Sequence, residues 1–144
     1  MSNLLRISEA ASLALHTMGL LAKSDARPAA TAQVARQLRA SEHHLAKVMQ
    51  RLTRAGLVRS TRGPHGGFRL ARPALQISLL EIYEAIEGPV GPTHCLIDSA
   101  ACERSPCVLG GLVRSVQEQV RRRFAQTTLQ DLAASTRLGE GKGE

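Results

Sequence analysis

Between residues 31 and 71 the chain carries a pattern that few folds accommodate: a short amphipathic helix, a tight link, a longer amphipathic helix, then two β-prone runs joined by Gly63-Pro64-His65-Gly66-Gly67. Thr31 is a candidate cap for the first helix, which turns Val34, Ala35 and Leu38 inward. After Arg39 and Ala40, Ser41 is placed to cap the second helix. Its apolar face is Leu45, Val48, Met49, Leu52 and Ala55, and Gly56 is its natural stop. Residues 57–62 and 68–71 read as two strands around the Gly/Pro turn, and a hairpin directly after a helix-turn-helix is the wing of a winged helix.

Charge follows the same boundaries. The 144 residues carry a net charge of +7, yet residues 36–72 alone hold nine Lys/Arg against the single acid Glu42, a balance of +8. The remaining residues are close to neutral. Concentration of a surplus in one segment points to a polyanion partner rather than to general solubility. Ser41, Glu42, His43 and Lys47 lie in the N-terminal half of the second helix, where side chains reach base edges. Lys47, Arg51 and Arg54 suit phosphates, and Arg59, Arg62, His65 and Arg69 arm the hairpin, whose glycines allow close backbone approach to a phosphate or a minor groove. Aromatic residues amount to 2%, namely Phe68, Tyr83 and Phe124. With so few stacking platforms, duplex DNA is a better partner than single strands or RNA.

The rest of the chain is helical by periodicity. Ile7, Ala11, Ala14, Met18 and Leu21 alternate in steps of four and three over residues 4–22. His16, among apolar neighbours on that helix, reads first as a packed core residue. Ser78 and Glu81 form a capping box before a helix that buries Leu79, Ile82, Tyr83 and Ile86 and stops at Gly88-Pro89. Residues 108–126 carry a stripe of Leu109, Leu112, Val113, Val116, Val120 and Phe124, and Thr128 with Asp131 opens a final short helix. The long stripe lacks a second layer, so its expected partner is the same helix in a second copy; folding back along the first helix is the alternative.

The expected fold is therefore mainly α: a winged helix-turn-helix with a long C-terminal dimerisation helix. Residues 1–75 form the DNA-binding domain, 76–135 a sensor loop with dimerisation helices, and 136–144 a flexible tail. No apolar run approaches the ~18–20 residues that span a bilayer, and a soluble cytoplasmic protein is expected. No Ser/His/Asp set, carboxylate pair or nucleotide-type phosphate loop is present, so nothing supports an enzyme.

Three cysteines, Cys95, Cys102 and Cys107, fall within one stretch. Their spacing lacks the Cys-x-x-Cys pairs of zinc ribbons, and three thiolates leave one position of an iron-sulfur cluster open. His94, Asp98 and Glu103 nearby, or Glu9, Ser12 and His16 of the first helix, are candidates for it. A thiol-disulfide redox switch, and structural or vestigial cysteines or a zinc site, are the other readings.

The chain resembles the Rrf-two type of bacterial winged-helix regulators, IscR/NsrR-like, over residues 4–133. The resemblance rests on Arg54-Ala55-Gly56-Leu57-Val58, the run from Arg62 to Ala71, Ala85-Ile86-Glu87-Gly88-Pro89, the cysteine loop ending in Cys102-Glu103-Arg104-Ser105-Pro106, and Thr127-Thr128-Leu129-Gln130-Asp131-Leu132. It implies a homodimeric, sequence-specific transcriptional regulator that binds an operator in double-stranded DNA. It also implies that Cys95, Cys102 and Cys107 ligate a two-iron or four-iron cluster, and that Arg62 of the wing enters the minor groove. His16 matches members in which that histidine helps to bind a two-iron cluster, whereas Gly110 stands where some members place a histidine ligand.

Overall fold

The computed structural model describes residues 7–24, 27–90 and 107–136. Cys95, Cys102, His94, Asp98, Glu103 and the tail from residue 137 lie outside them. The elements run α1 (Glu9–Lys23), α2 (Thr31–Leu38), α3 (Glu42–Arg54), β1 (Val58–Thr61), β2 (Gly67–Leu70), α4 (Leu79–Glu87), α5 (Val108–Gln126) and α6 (Leu129–Ser135), with a 3-10 turn at Ala74–Gln76. The order is that of a mainly α winged helix-turn-helix. No helix of the described residues is long and apolar enough to cross a membrane.

Local chemistry accounts for the boundaries. Ser8 caps α1 by accepting from the Ala11 N–H at 3.1 Å, a start that the apolar spacing alone does not mark. Thr31 does not cap α2, contrary to expectation: the cap position is Ala30, without a side-chain bond. A backbone exchange fixes that start instead, since Ala29 N–H donates to Phe68 O at 2.8 Å and Phe68 N–H returns to Ala29 O at 2.9 Å. The wing is thereby stitched to the entry of α2. Ser41 caps α3 by accepting from His44 N–H at 3.3 Å, and Gly56, at φ +75°, turns the chain into β1.

In the wing, Val58 pairs with Leu70, Arg59 with Arg69, Ser60 with Phe68 and Thr61 with Gly67. The wing glycines serve internal packing as well as outward access. A Cβ on Gly66 would sit 2.1 Å from Thr61 O, and one on Gly67 would sit 2.5 Å from Ala29 O.

One core joins α1, α2, α3, β1, α4 and α6. Ala11, Ala14, Met18 and Leu21 meet Val34, Ala35, Leu45, Val48, Met49 and Leu52, with Ile77, Ile82, Ile86 and Leu129 closing the far side. The return of the chain after α5 is pinned by backbone: Leu79 N–H donates to Thr127 O at 3.0 Å and Leu129 N–H to Ile77 O at 2.8 Å. It is α6, rather than α5, that packs on α1. Helix α5 leans on α4, where Phe124 meets Tyr83 edge to face at 5.6 Å. Val113 is 2% exposed, while Val108, Leu109 and Leu112 stand 88%, 56% and 58% exposed.

Two capping boxes hold carboxylates below their usual range. At Glu81 burial pushes upward, but hydrogen bonds from Ser78 and the Arg72 guanidinium at 2.6 Å outweigh it. At Asp131 the backbone and side chain of Thr128 lower the value. A depressed folded-state value means that stability is complete above the unfolded carboxylate range and lost as pH falls through the folded values. The urea midpoint should therefore drop on acidification below about pH 4, and Glu81→Gln should flatten part of that drop. A wild-type slope retained in the variant would contradict the assignment.

Arg39 is the only non-glycine residue among those described with positive φ, at 52°. Left-handed backbone costs an L residue roughly 1–2 kcal/mol, so Arg39→Gly should raise stability by about 1 kcal/mol in urea denaturation. Gly67→Ala should lower it by about 1–3 kcal/mol through the clash with Ala29.

Candidate nucleic-acid interface and the adjoining cavity

Helix α3 divides its side chains by angle. Leu45, Val48, Met49 and Leu52 are buried, and at 100° per residue the opposite face is His43, Lys47, Gln50 and Arg54. All four are exposed. One flank is closed by the fold: Arg51 donates from Nη1 to Ile86 O at 3.1 Å, at the C-terminal end of α4. On the same flank the His44 imidazole lies 4.0 Å from the Glu9 carboxylate on α1. Of the two adjacent histidines it is therefore His43 that faces outward.

Arg51 is exposed yet has one donor committed to α4, so its role is shared between the fold and any ligand. The Ser41 oxygen is likewise committed as the cap of α3, while Glu42 stands exposed in the first turn. Gln50, which the sequence marks only as one of the polar residues of this helix able to hydrogen-bond bases or phosphates, stands in the outward row by its angular place opposite the buried face.

The wing concentrates cations. Arg59 and Arg69 are directly opposed across β1 and β2 and both exposed, so two guanidinium groups share one face of the hairpin. Arg62 and His65 are exposed at the turn, which is closed by Gly66 N–H donating to Gly63 O at 2.9 Å. Among the described residues Arg72 forms an ion pair with Glu81, and the Glu9 carboxylate stands 4.0 Å from the His44 imidazole. Lys47, Arg54, Arg59, Arg62 and Arg69 have no carboxylate partner there. Like charges placed side by side without a counter-charge cost free energy in the isolated protein and are relieved by a bound polyanion.

A second feature adjoins this surface. A cavity of about 360 Å³ opens between the first half of α1 and the α2–α3 turn, walled by Glu9, Ser12, Leu13 and His16 on one side and by residues 37–40 on the other. His16 is exposed here and not packed in the core, because its position on α1 falls between the buried Ala14 and Thr17 faces and the cavity. Its Nδ1–H donates to Ser12 O at 2.7 Å. A carbonyl oxygen only accepts, so this contact uses Nδ1 as the donor and leaves Nε2 as the ring nitrogen for another partner, the arrangement by which histidine ligands are oriented for metals.

Glu9, Ser12 and His16, the candidates on α1 for a fourth ligand, thus share one wall. Cys107 is half-buried at the N-cap of α5, and Cys95 and Cys102 fall outside the described residues. No three His, Cys, Asp or Glu side chains converge as a metal site among the described residues.

The chain matches the family model Rrf2, described as iron-dependent transcriptional regulator, over residues 7–135. It is 31% identical over 109 residues to the HTH-type transcriptional regulator CymR of Bacillus subtilis, covering 76% of this chain and 75% of that one. It is 40% identical over 84 residues to the HTH-type transcriptional regulator IscR of Cereibacter sphaeroides, covering 58% of this chain and 54% of the relative. The solved structure of CymR (YrzC), the global cysteine regulator of B. subtilis, superposes with a TM-score of 0.76 at 30% identity, covering 92% of this chain and 98% of that one. With an exposed cationic wing beside an outward-facing helix, and a family match that runs almost the length of the chain, this protein belongs to the Rrf2 family of transcriptional regulators.

Proposed function

We propose that this chain is a homodimeric, sequence-specific repressor that acts in the cytoplasm on an operator in double-stranded DNA, under control of its three-cysteine loop. The observation that carries the DNA reading is the wing, where Arg59 and Arg69 face each other without a carboxylate partner among the described residues. Phosphates supply the missing counter-charge for them and for Arg51 and Arg54. Arg62 and His65 at the turn reach the adjacent minor groove, while Ser41, Glu42, His43 and Lys47 meet the major-groove edges. The exposed Val108, Leu109 and Leu112 of α5 pair with the same residues of a second copy. The pair then presents two winged helices to adjacent major grooves of a pseudo-palindrome.

For the sensor, Cys95, Cys102 and Cys107 would hold an iron-sulfur cluster of the two-iron or four-iron type. The Nε2 of His16 suits the remaining position; Glu9 and Ser12 share its wall, and His94, Asp98 and Glu103 are the loop alternatives. When bound, such a cluster supplies a redox-active centre that senses iron, nitric oxide or oxidation. The cavity wall formed by residues 37–40 leads directly into α3, so occupancy there biases the placement of the recognition helix. The family's description as iron-dependent and the likeness to IscR support this reading.

A second reading has its own support. The likeness to CymR, named a global cysteine regulator, covers 98% of that chain. It favours a regulator without a cluster, governed by thiol oxidation or by a protein or small-molecule partner.

Binding to a duplex from its own promoter region should weaken steeply as salt rises, and Arg62→Ala should weaken it further while lowering the salt slope by about one. Flat salt dependence in a fluorescence-anisotropy titration would sink the DNA reading. Anaerobic purification with iron supplied should yield a coloured protein whose visible absorbance Cys102→Ala abolishes. A colourless wild-type protein would remove the cluster and leave the thiol or partner reading.

A further inference from the structure

Helix α3 offers its outward face in one order, His43, Lys47, Gln50, Arg54. The flank toward α1 and α4 is occupied by the His44–Glu9 contact and by the Arg51 bond to Ile86 O. The opposite flank carries Glu42, Ala46 and Thr53. Thr53 spends its hydroxyl on Met49 O at 2.8 Å, and Ala46 has no side chain beyond Cβ. That shoulder is therefore low at mid-helix. The helix axis can approach a groove floor closely there, at the level of Lys47 and Gln50.

At the N-terminal end the Ser41 oxygen is engaged by His44 N–H as the cap. At the C-terminal end Arg54 stands in the last turn of α3, beyond the low shoulder, where its long cationic side chain suits a phosphate. Between them Gln50 is the one exposed, uncharged residue of the outward row with two donors and an acceptor, and no hydrogen bond is recorded for it among the described residues. It lies about 4.5 Å along the axis from Lys47, a little more than one base-pair step.

Resting on the DNA-binding reading above, we infer that Gln50 is a specificity-determining residue, reading an adenine through N6 and N7 beside the base pair addressed by Lys47. A carboxamide matches the donor and acceptor of adenine in the major groove, and a Lys ammonium matches the O6 and N7 acceptors of guanine. Reading is thereby centred one turn further along α3 than the capped N-terminus. Each half-site then contains adjacent G·C and A·T pairs at its centre, with the adenine set by Gln50.

The test is selection of bound duplexes from a randomised pool by the full chain, wild type against Gln50→Ala and Gln50→Glu, with total duplex affinity measured in parallel. Gln50 is exposed and helical, so both variants should retain the wild-type circular dichroism and melting midpoint. The wild type should fix an adenine that Gln50→Ala loses, with discrimination at that position falling roughly 10-fold or more. Gln50→Glu should move the preference at that same position to cytosine, whose N4 amino group a carboxylate accepts. Arg54→Ala should weaken all sequences alike.

A wild type that selects a motif which Gln50→Ala leaves unchanged overturns the assignment while the DNA-binding reading stands. A wild type without salt-dependent duplex binding overturns both.

Discussion

Everything at the candidate interface depends on one helix serving two solvents. Leu45, Val48, Met49 and Leu52 anchor α3 in the core, each worth about 1.5–3 kcal/mol in burial. Because a helix repeats every 3.6 residues, anchoring that row forces His43, Lys47, Gln50 and Arg54 outward. With only three aromatic residues in the chain, the anchorage is aliphatic and built from many modest contacts. The polar side of α3 is held in place by the same packing that stabilises the protein, so its outward residues are presented on a rigid element.

The wing shows the complementary arrangement. Its two strands are short, and an isolated hairpin of this kind is marginal in water. The backbone exchange between Ala29 and Phe68 ties it to the start of α2, and Val58 is buried in the core. The hairpin can then carry Arg59 opposite Arg69, a pairing unfavourable on its own. The structure tolerates a local electrostatic cost at the place where a polyanion offsets it.

Much of this was legible in the residues. Ser41, Ser78 and Thr128 announced their helices because a cap is a local device, and the apolar rows of α3 and α5 follow from periodicity. What escaped reading depends on contacts between distant segments. The start of α2 is set by Phe68 rather than by Thr31, and Gly66 and Gly67 answer to Thr61 and Ala29 as much as to any ligand. His16 looked like core because its neighbours in sequence are apolar, yet the angle it occupies on α1 opens onto the cavity. Arg51 reads in the sequence as a phosphate contact, and its engagement with Ile86 O depends on where α4 lies. The α5 stripe read as lacking a second layer, yet α4 covers part of it, with Phe124 against Tyr83, and leaves Val108, Leu109 and Leu112 exposed.

The cavity wall at residues 37–40 continues into the cap of α3, and the exposed end of α5 follows Cys107. In the proposed mechanism, occupancy of the cavity acts on the recognition helix through residues 37–40, which lead directly into it. Hydroxyl-radical and methylation-protection footprinting of the protein on its own promoter region addresses the account most directly. Two protected major-groove segments, about 10 base pairs apart on one face of the duplex, are the predicted result. A single protected segment, or none, would contradict it.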